Sequence, residues 1–259
     1  SGSGKSMLAR AALGLLPDGA RREARALSLL GHDLLAADGE AWRKLRGPGI
    51  GLVLQEPLTS LNPAMRVGRQ MAEALELHRG LSRPEALARA ARALEEVRID
   101  DPEAALRRYP HEFSGGQRQR IMVASVLLLE PKLVIADEPA TALDAVVGEE
   151  ILDLIQARAR AVGAAVMMIS HDLAQVARRA DRILVMAKGV VVAGGPSGDI
   201  LLRPKHAYTR RLLAALPRRA AAAGPAQPAA QPIVVAKNLG LSYQGGRSGL
   251  IARAPARRA

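Results

Sequence analysis

Apolar residues in this chain fall into short unbroken runs, separated by longer stretches where they recur every three or four positions. Ile50 to Leu54 reads as a short strand. Leu133 to Ala136 and Ala165 to Ile169 are continuous apolar runs of strand length, the pattern of strands buried on both faces. Ile183 to Met186 and Val190 to Ala193 flank Lys188-Gly189, which predicts a hairpin. Between these runs the period changes. Ser82-Arg83-Pro84-Glu85 is a capping box with Pro in the first turn. It opens a helix with Leu87, Ala91, Leu94 and Val97 on one face. Ser114 caps a helix that runs to about Glu130, where Pro131 stops it. Gly148 to Val162 is a further helix. The alternation predicts an α/β fold with a mainly parallel sheet, and a helical subdomain at about 62–130.

The pattern fades after residue 217. Residues 218–231 are an Ala/Pro/Arg/Gln stretch of linker composition. Ile233 to Tyr243 then resumes strand character, before a Gly/Arg/Ala-rich end. A linker of about 14 residues would let that segment reach back and pair with an open sheet edge.

Composition narrows the function classes. Half of the 259 residues are hydrophobic (49%) but only 2% are aromatic, so the core is built from aliphatic side chains. Cysteine is absent, which excludes disulfides, thiolate metal sites and cysteine-ligated iron–sulfur clusters. No apolar run is long enough to span a bilayer as a helix. Work at a membrane would therefore need other subunits to do the spanning. The formal net charge is +12, and 31 of the 37 basic residues are Arg. They are spread along helical stretches without interleaved aromatics, so nucleic acid is not an expected partner.

Three segments carry chemistry. Ser1-Gly2-Ser3-Gly4-Lys5-Ser6 ends as a phosphate-binding loop ends. Its amides would wrap a β-phosphate, Lys5 would neutralise phosphate oxygens, and the Ser6 hydroxyl would ligate magnesium. The first Gly of that motif would fall before Ser1, so the strand feeding the loop is expected to be missing. Asp137 and Glu138 follow an apolar strand, at the end where α/β folds place their sites. Asp137 suits a magnesium ion and Glu138 an attacking water. Ser114-Gly115-Gly116-Gln117 opens a helix, where free amides favour an anion.

With Glu112-Phe113 before it and Arg118-Gln119-Arg120 after it, this stretch resembles the signature motif of ATP-binding cassette (ABC) transporters, with Phe113 in the usual place of Leu. The resemblance implies a P-loop NTPase cassette at 1–217, lacking its N-terminal strands and ending in a C-terminal extension at about 195–217. It implies ATP hydrolysis with Mg2+, two ATP molecules being sandwiched in a head-to-tail dimer of cassettes. Gln55 matches the Q-loop glutamine, a γ-phosphate sensor and a magnesium ligand beside Ser6 and Asp137. Ala142-Leu143-Asp144 matches the D-loop, and His171 the switch histidine that contacts the γ-phosphate.

The segment Gln55 to Pro63 is similar to that of importers for oligopeptides, dipeptides and nickel. His206 to Pro217 resembles their C-terminal extension, with Ala207 in place of the usual Pro. Residues 232–259 are similar to the start of a second cassette, so the chain resembles part of a tandem fusion. The expected partners are transmembrane permease subunits, a second cassette and, indirectly, a solute-binding protein. The expected place is the cytoplasmic face of the inner membrane, peripherally bound. Two alternatives differ in class. One is a soluble ABC ATPase acting on ribosomes or DNA, which would carry a long charged linker or a coiled-coil insert. The other is an inactive truncated fragment.

Overall fold

The computed structural model describes residues 3–54, 60–141 and 143–216. Ser1, Gly2, Gln55 and Ala142, the expected linker at 218–231 and the expected second cassette at 232–259 lie outside the described residues. In chain order the elements are α1 (Lys5–Ala12), β1 (Ser28–Leu29), β2 (His32–Asp33), α2 (Gly39–Leu45) and β3 (Ile50–Val53). Next come α3 (Val67–Arg79), α4 (Arg83–Glu96), α5 (Pro102–Arg107), α6 (Gly115–Leu127), β4 (Leu133–Asp137), α7 (Ala145–Ala161) and β5 (Ala165–Ile169). The rest are α8 (Leu173–Arg179), β6 (Arg182–Ala187), β7 (Val190–Pro196), α9 (Ser197–Leu202) and α10 (Ala207–Ala214).

Strands β3, β4 and β5 pair in that order, all parallel, with Ile50 opposite Leu133 and Leu133 opposite Ala165. Alternate side chains therefore leave by opposite faces. Val53, Val134 and Ala136 pack with Met122, Val123 and Leu127 of α6 and Ile151 and Ile155 of α7. Ile50, Ile135 and Ile169 pack on the other face with Ala9 of α1, Leu13 at its C-cap and Trp42 of α2. This three-layer arrangement aims the C-terminal ends of the strands toward the start of α1.

A second core lies in the helical layer. Met71 and Leu75 of α3, Ala86, Ala90 and Leu94 of α4, and Leu106 of α5 pack with Phe113 and with Ile121, Ala124 and Leu128. Helix α6 thus contributes to two cores from two of its faces, Ile121 and Ala124 on one side, Met122 and Val123 on the other. Helices α3 to α6 fill the stretch where a helical subdomain is expected.

The capping box at Ser82–Glu85 forms as the sequence predicts. Some expected boundaries move. The fully buried stripe of α4 is Ala86, Ala90, Ala93 and Leu94 with Val97, while Leu87 and Ala91 flank it half-buried. Small alanines let α3 and α4 approach closely, so the buried face is the alanine face. Helix α6 ends at Leu127, not about Glu130. Pro131 disfavours the helical region at the residue before it, and Glu130 turns left-handed at φ 53. Helix α7 begins three residues before Gly148, because Asp144 caps it by accepting from the amides of Val146 and Val147 at 3.1 and 3.0 Å.

The expectation of full burial for β5 is corrected too. Ala165 and Val166 are exposed and only Ile169 is buried, because β5 is an edge strand of this sheet among the described residues. The hairpin β6–β7 forms through Lys188 and Gly189, both with positive φ (49 and 79) as a tight two-residue turn requires.

Candidate nucleotide site

Helix α1 starts where the expected phosphate loop ends. Gly4 is its N-cap at φ 87, a conformation that glycine takes without strain. A side chain there would also approach Gly189, whose Cα lies 3.5 Å from the position of an added Cβ. The Gly189 amide donates to the Ser3 carbonyl at 3.1 Å, so the β6–β7 turn holds the loop in place. The Lys5 ammonium donates to Ser3 Oγ at 3.3 Å. Ser6, in the first turn, points at the sheet, and its hydroxyl donates to Asp137 Oδ1 at 2.9 Å. The sequence separates these two residues by 131 positions, and the fold joins them.

Asp137 is 8% exposed at the C-terminal end of β4. Glu138 follows at φ 47, a left-handed conformation that costs a non-glycine residue about 1–2 kcal/mol. Three hydrogen bonds hold it there. The Glu138 amide donates to the Ile169 carbonyl (3.0 Å), and the Thr141 amide donates to the Glu138 carbonyl (3.3 Å). The Thr141 hydroxyl donates to Glu138 Oε2 at 3.1 Å. The same carboxylate oxygen lies 3.1 Å from His171 Nδ1. His171 follows β5, and its imidazole is 56% exposed, so it faces solvent and the carboxylate rather than a core. Asp172 caps α8 through the amides of Ala174 and Gln175, and its own amide donates to Ser170 Oγ.

The structure therefore brings together Ser3, Gly4, Lys5, Ser6, Asp137, Glu138 and His171. It places Ser114 to Gln117 elsewhere. Ser114 Oγ accepts from the Gln117 amide at 3.3 Å, and Gln117 Oε1 accepts from the Ser114 amide at 3.0 Å. Gln117 is thus part of a capping box. Gly116 faces α7 closely, since an added Cβ would meet Val147 Cγ1 at 3.1 Å. Gly115 is less crowded, with only Leu143 at 4.0 Å. Among the described residues no hydrogen bond or ion pair joins this helix start to Gly4–Ser6, Glu138 or His171. Asp144 spends its carboxylate on the cap of α7.

One buried residue escaped the sequence reading. Gln119 is 1% exposed, and its amide nitrogen donates to the Pro139 carbonyl at 2.7 Å. It pins the loop that follows Glu138 to α6. Its spacing of three and four residues before Met122 and Val123 marks it as inward-facing.

A parallel sheet that delivers a buried Asp137 and the adjoining Glu138 to a Gly-Lys-Ser helix start defines a P-loop nucleotide-binding cassette. Residues 1–141 match the family described as ABC transporter, and the chain belongs to that family. It is 44% identical over 218 residues to the oligopeptide transport ATP-binding protein OppD of Salmonella typhimurium, covering 84% of this chain and 65% of that protein. It is 42% identical over 242 residues to the glutathione import ATP-binding protein GsiA of the same organism, covering 91% of this chain and 39% of that one. The chain thus spans between about two fifths and two thirds of the length of these relatives. Among solved structures it resembles the ATP-binding cassette MJ0796, a dimer bound to ADP and Pi. That match has TM-score 0.63 and 25% identity, and covers 75% of this chain and 81% of the other.

Proposed function

We propose that this chain is the ATP-hydrolysing, energy-coupling part of an importer for peptides or similar small solutes. The observation that carries the reading is the 2.9 Å bond between Ser6 and Asp137, next to a Glu138 carboxylate held by Thr141 and faced by His171. A hydroxyl and a carboxylate are the hard oxygen donors that magnesium prefers. Magnesium bound there with ATP would be held by Ser6 and Asp137 and would neutralise charge on the terminal phosphates. The residues themselves do the rest. The amides at the start of α1 and the Lys5 ammonium bind phosphate oxygens. Glu138 orients and polarises the attacking water, and His171 contacts the γ-phosphate. By the family resemblance Gln55 senses that phosphate from outside the described residues.

Among the described residues the α6 start makes no hydrogen bond or ion pair to this cluster, which supports a head-to-tail dimer in which it serves the partner cassette's ATP. The names of OppD and GsiA support peptide-like solutes. No helix among the described residues is long and apolar enough to cross a membrane. Permease subunits would therefore do the spanning, with this chain bound peripherally at the cytoplasmic face and a solute-binding protein acting indirectly. By resemblance to the opening strand of a cassette, residues 232–259 are read as the start of a second one.

Glu138→Gln tests the site. The amide keeps the shape and the bond from Thr141 but cannot act as a base. ATP turnover in the full-length protein should fall by about 10²–10⁴ while MgATP affinity by calorimetry stays within about threefold. Equal loss of binding and turnover would assign Glu138 to holding the nucleotide instead.

A further inference from the structure

Helix α8 has an unusual attachment for an element that follows directly on His171. It is seven residues long and none of them is fully buried. Only Val176 reaches an apolar cluster, and it does so half-buried. Apolar packing therefore does little to fix it, and polar contacts at its two ends take over. At the N-terminal end Asp172 caps the helix. At the C-terminal end Arg179 bonds two carboxylates of α7, Glu149 at 2.6 Å and Asp153 at 2.7 Å. Its carbonyl also accepts from Gln156 Nε2 at 3.1 Å. Glu149, Asp153 and Gln156 lie four and three residues apart, one face of α7. Arg178 adds an outer ion pair to Glu149 at 2.7 Å.

Arg179 is the inner member of this set, with its side chain 6% exposed. Burial opposes its charge, and the hydrogen bonds it donates to Glu149 and then to Asp153 outweigh that, holding its pKa above the ordinary arginine value. Nη2 makes both carboxylate bonds, while Nε and Nη1 are buried without acceptors. Unpaired buried donors subtract from stability. The two carboxylates are 33% and 70% exposed, so they would return to water if the guanidinium were removed. Removing one member of a buried pair is costly when the other charge stays buried; here the carboxylates left behind are open to water, so that cost is largely avoided. Stability is thus a poor account of this cluster, and geometry is a better one.

We propose that Arg179 is a positioning residue for turnover, clamping α8 to α7 so that His171 keeps its imidazole on the Glu138 carboxylate. The inference rests on the reading of Glu138 and His171 as turnover groups. His171 is set by the Ser170–Asp172 turn, and that turn is the lead-in to α8. A displacement of about 1 Å at such a contact is enough to cost one to two orders of magnitude in rate. Because Asp144 caps α7, the same clamp also ties the His171 turn to the segment that follows Glu138.

The test uses Arg179→Met, Glu149→Gln and His171→Ala in the full-length protein. Arg179→Met should keep its thermal midpoint near that of the wild type, lower kcat about tenfold or more and leave KM for MgATP within about twofold. Arg179→Lys, which can still reach one carboxylate, should recover part of kcat. In an Arg179→Met/His171→Ala double variant the loss should not multiply, because Arg179 acts through His171. Independently of turnover, the His171 imidazole nitrogen resonances in Arg179→Met, and to a smaller degree in Glu149→Gln, should move toward those of Glu138→Gln. Full activity in His171→Ala would sink the reading of the histidine and leave the resonance test to judge the clamp. Unchanged His171 resonances in both clamp variants, or the same fold-loss with and without His171, would overturn the clamp.

Discussion

Gln119→Glu is the sharpest perturbation available in this fold. Gln119 is 1% exposed and donates to the Pro139 carbonyl at 2.7 Å. Glutamate has the same shape, and only its protonated form can donate that bond. Ionised, it would set a buried negative charge against a carbonyl oxygen. Burial and the bond to the neutral form both raise the folded-state pKa of the new carboxyl above its unfolded value. The sign follows. Stability is fully present below the unfolded pKa and is lost as pH rises through the interval up to the folded one. Each pH unit within that interval costs about 1.36 kcal/mol. Between pH 5 and pH 7 the variant should therefore lose about 2–3 kcal/mol relative to the wild type. Urea unfolding of both proteins at each pH measures this directly, and the difference of differences removes the wild type's own pH dependence. ATP turnover should fall over the same range, because the loop carrying Glu138 and Thr141 is released. A wild-type-like difference at both pH values would mean that the Pro139 carbonyl is wet, and the account of Gln119 as the pin of this loop would fail.

Further expectations are of different kinds. Ser114→Arg should block ATP-driven dimer formation on size-exclusion chromatography more than it weakens ATP binding by the monomer; normal dimers would remove the α6 start from the partner's nucleotide. Gly51→Ala should destabilise the fold by about 1–3 kcal/mol in denaturant, because the new Cβ would lie 2.5 Å from Val126 Cγ1 between sheet and helix. The Ser82 hydroxyl and then the Ser82 amide depress the Glu85 pKa below 4.5. The stabilising contribution of that cap is present above the ordinary glutamate value and fades as pH falls through the lower folded one. The stability gap between wild type and Glu85→Gln should therefore narrow on acidification, and a constant gap would show that the charge plays no part.

Local signals carried much of this structure. The capping box at Ser82, the N-cap at Ser114 and the Lys188-Gly189 turn are written in adjacent residues, and they form as written. The apolar run at Leu133 ends on Asp137, so the position of the Asp-Glu pair at a strand end was also legible. What the sequence could not show was long-range. Nothing in Ser6 announces a bond to Asp137, and nothing in Thr141 announces one to Glu138. The exposure of β5 depends on its place in the strand order, which its apolar composition does not encode. On α4 the expected face of Leu87, Ala91, Leu94 and Val97 holds at Leu94 and Val97, while Ala86, Ala90 and Ala93 take the buried places of the other two. Gln119 and Arg179 were passed over for a shared reason: polar residues on helices are usually solvated, and only tertiary packing reveals which are sealed in.

Helix α6 belongs to both apolar cores, and this shapes how the molecule can come apart. Its amides should exchange with deuterium as slowly as global unfolding allows, since opening either core alone leaves the other holding it. The α3–α5 layer packs in the first core and is tied to α7 by the Glu96–Arg158 ion pair, so it should exchange as a separate unit that opens while the sheet stays closed. When that layer swings as a body, α6 is its axle, and Ser114 at the axle's tip turns with it.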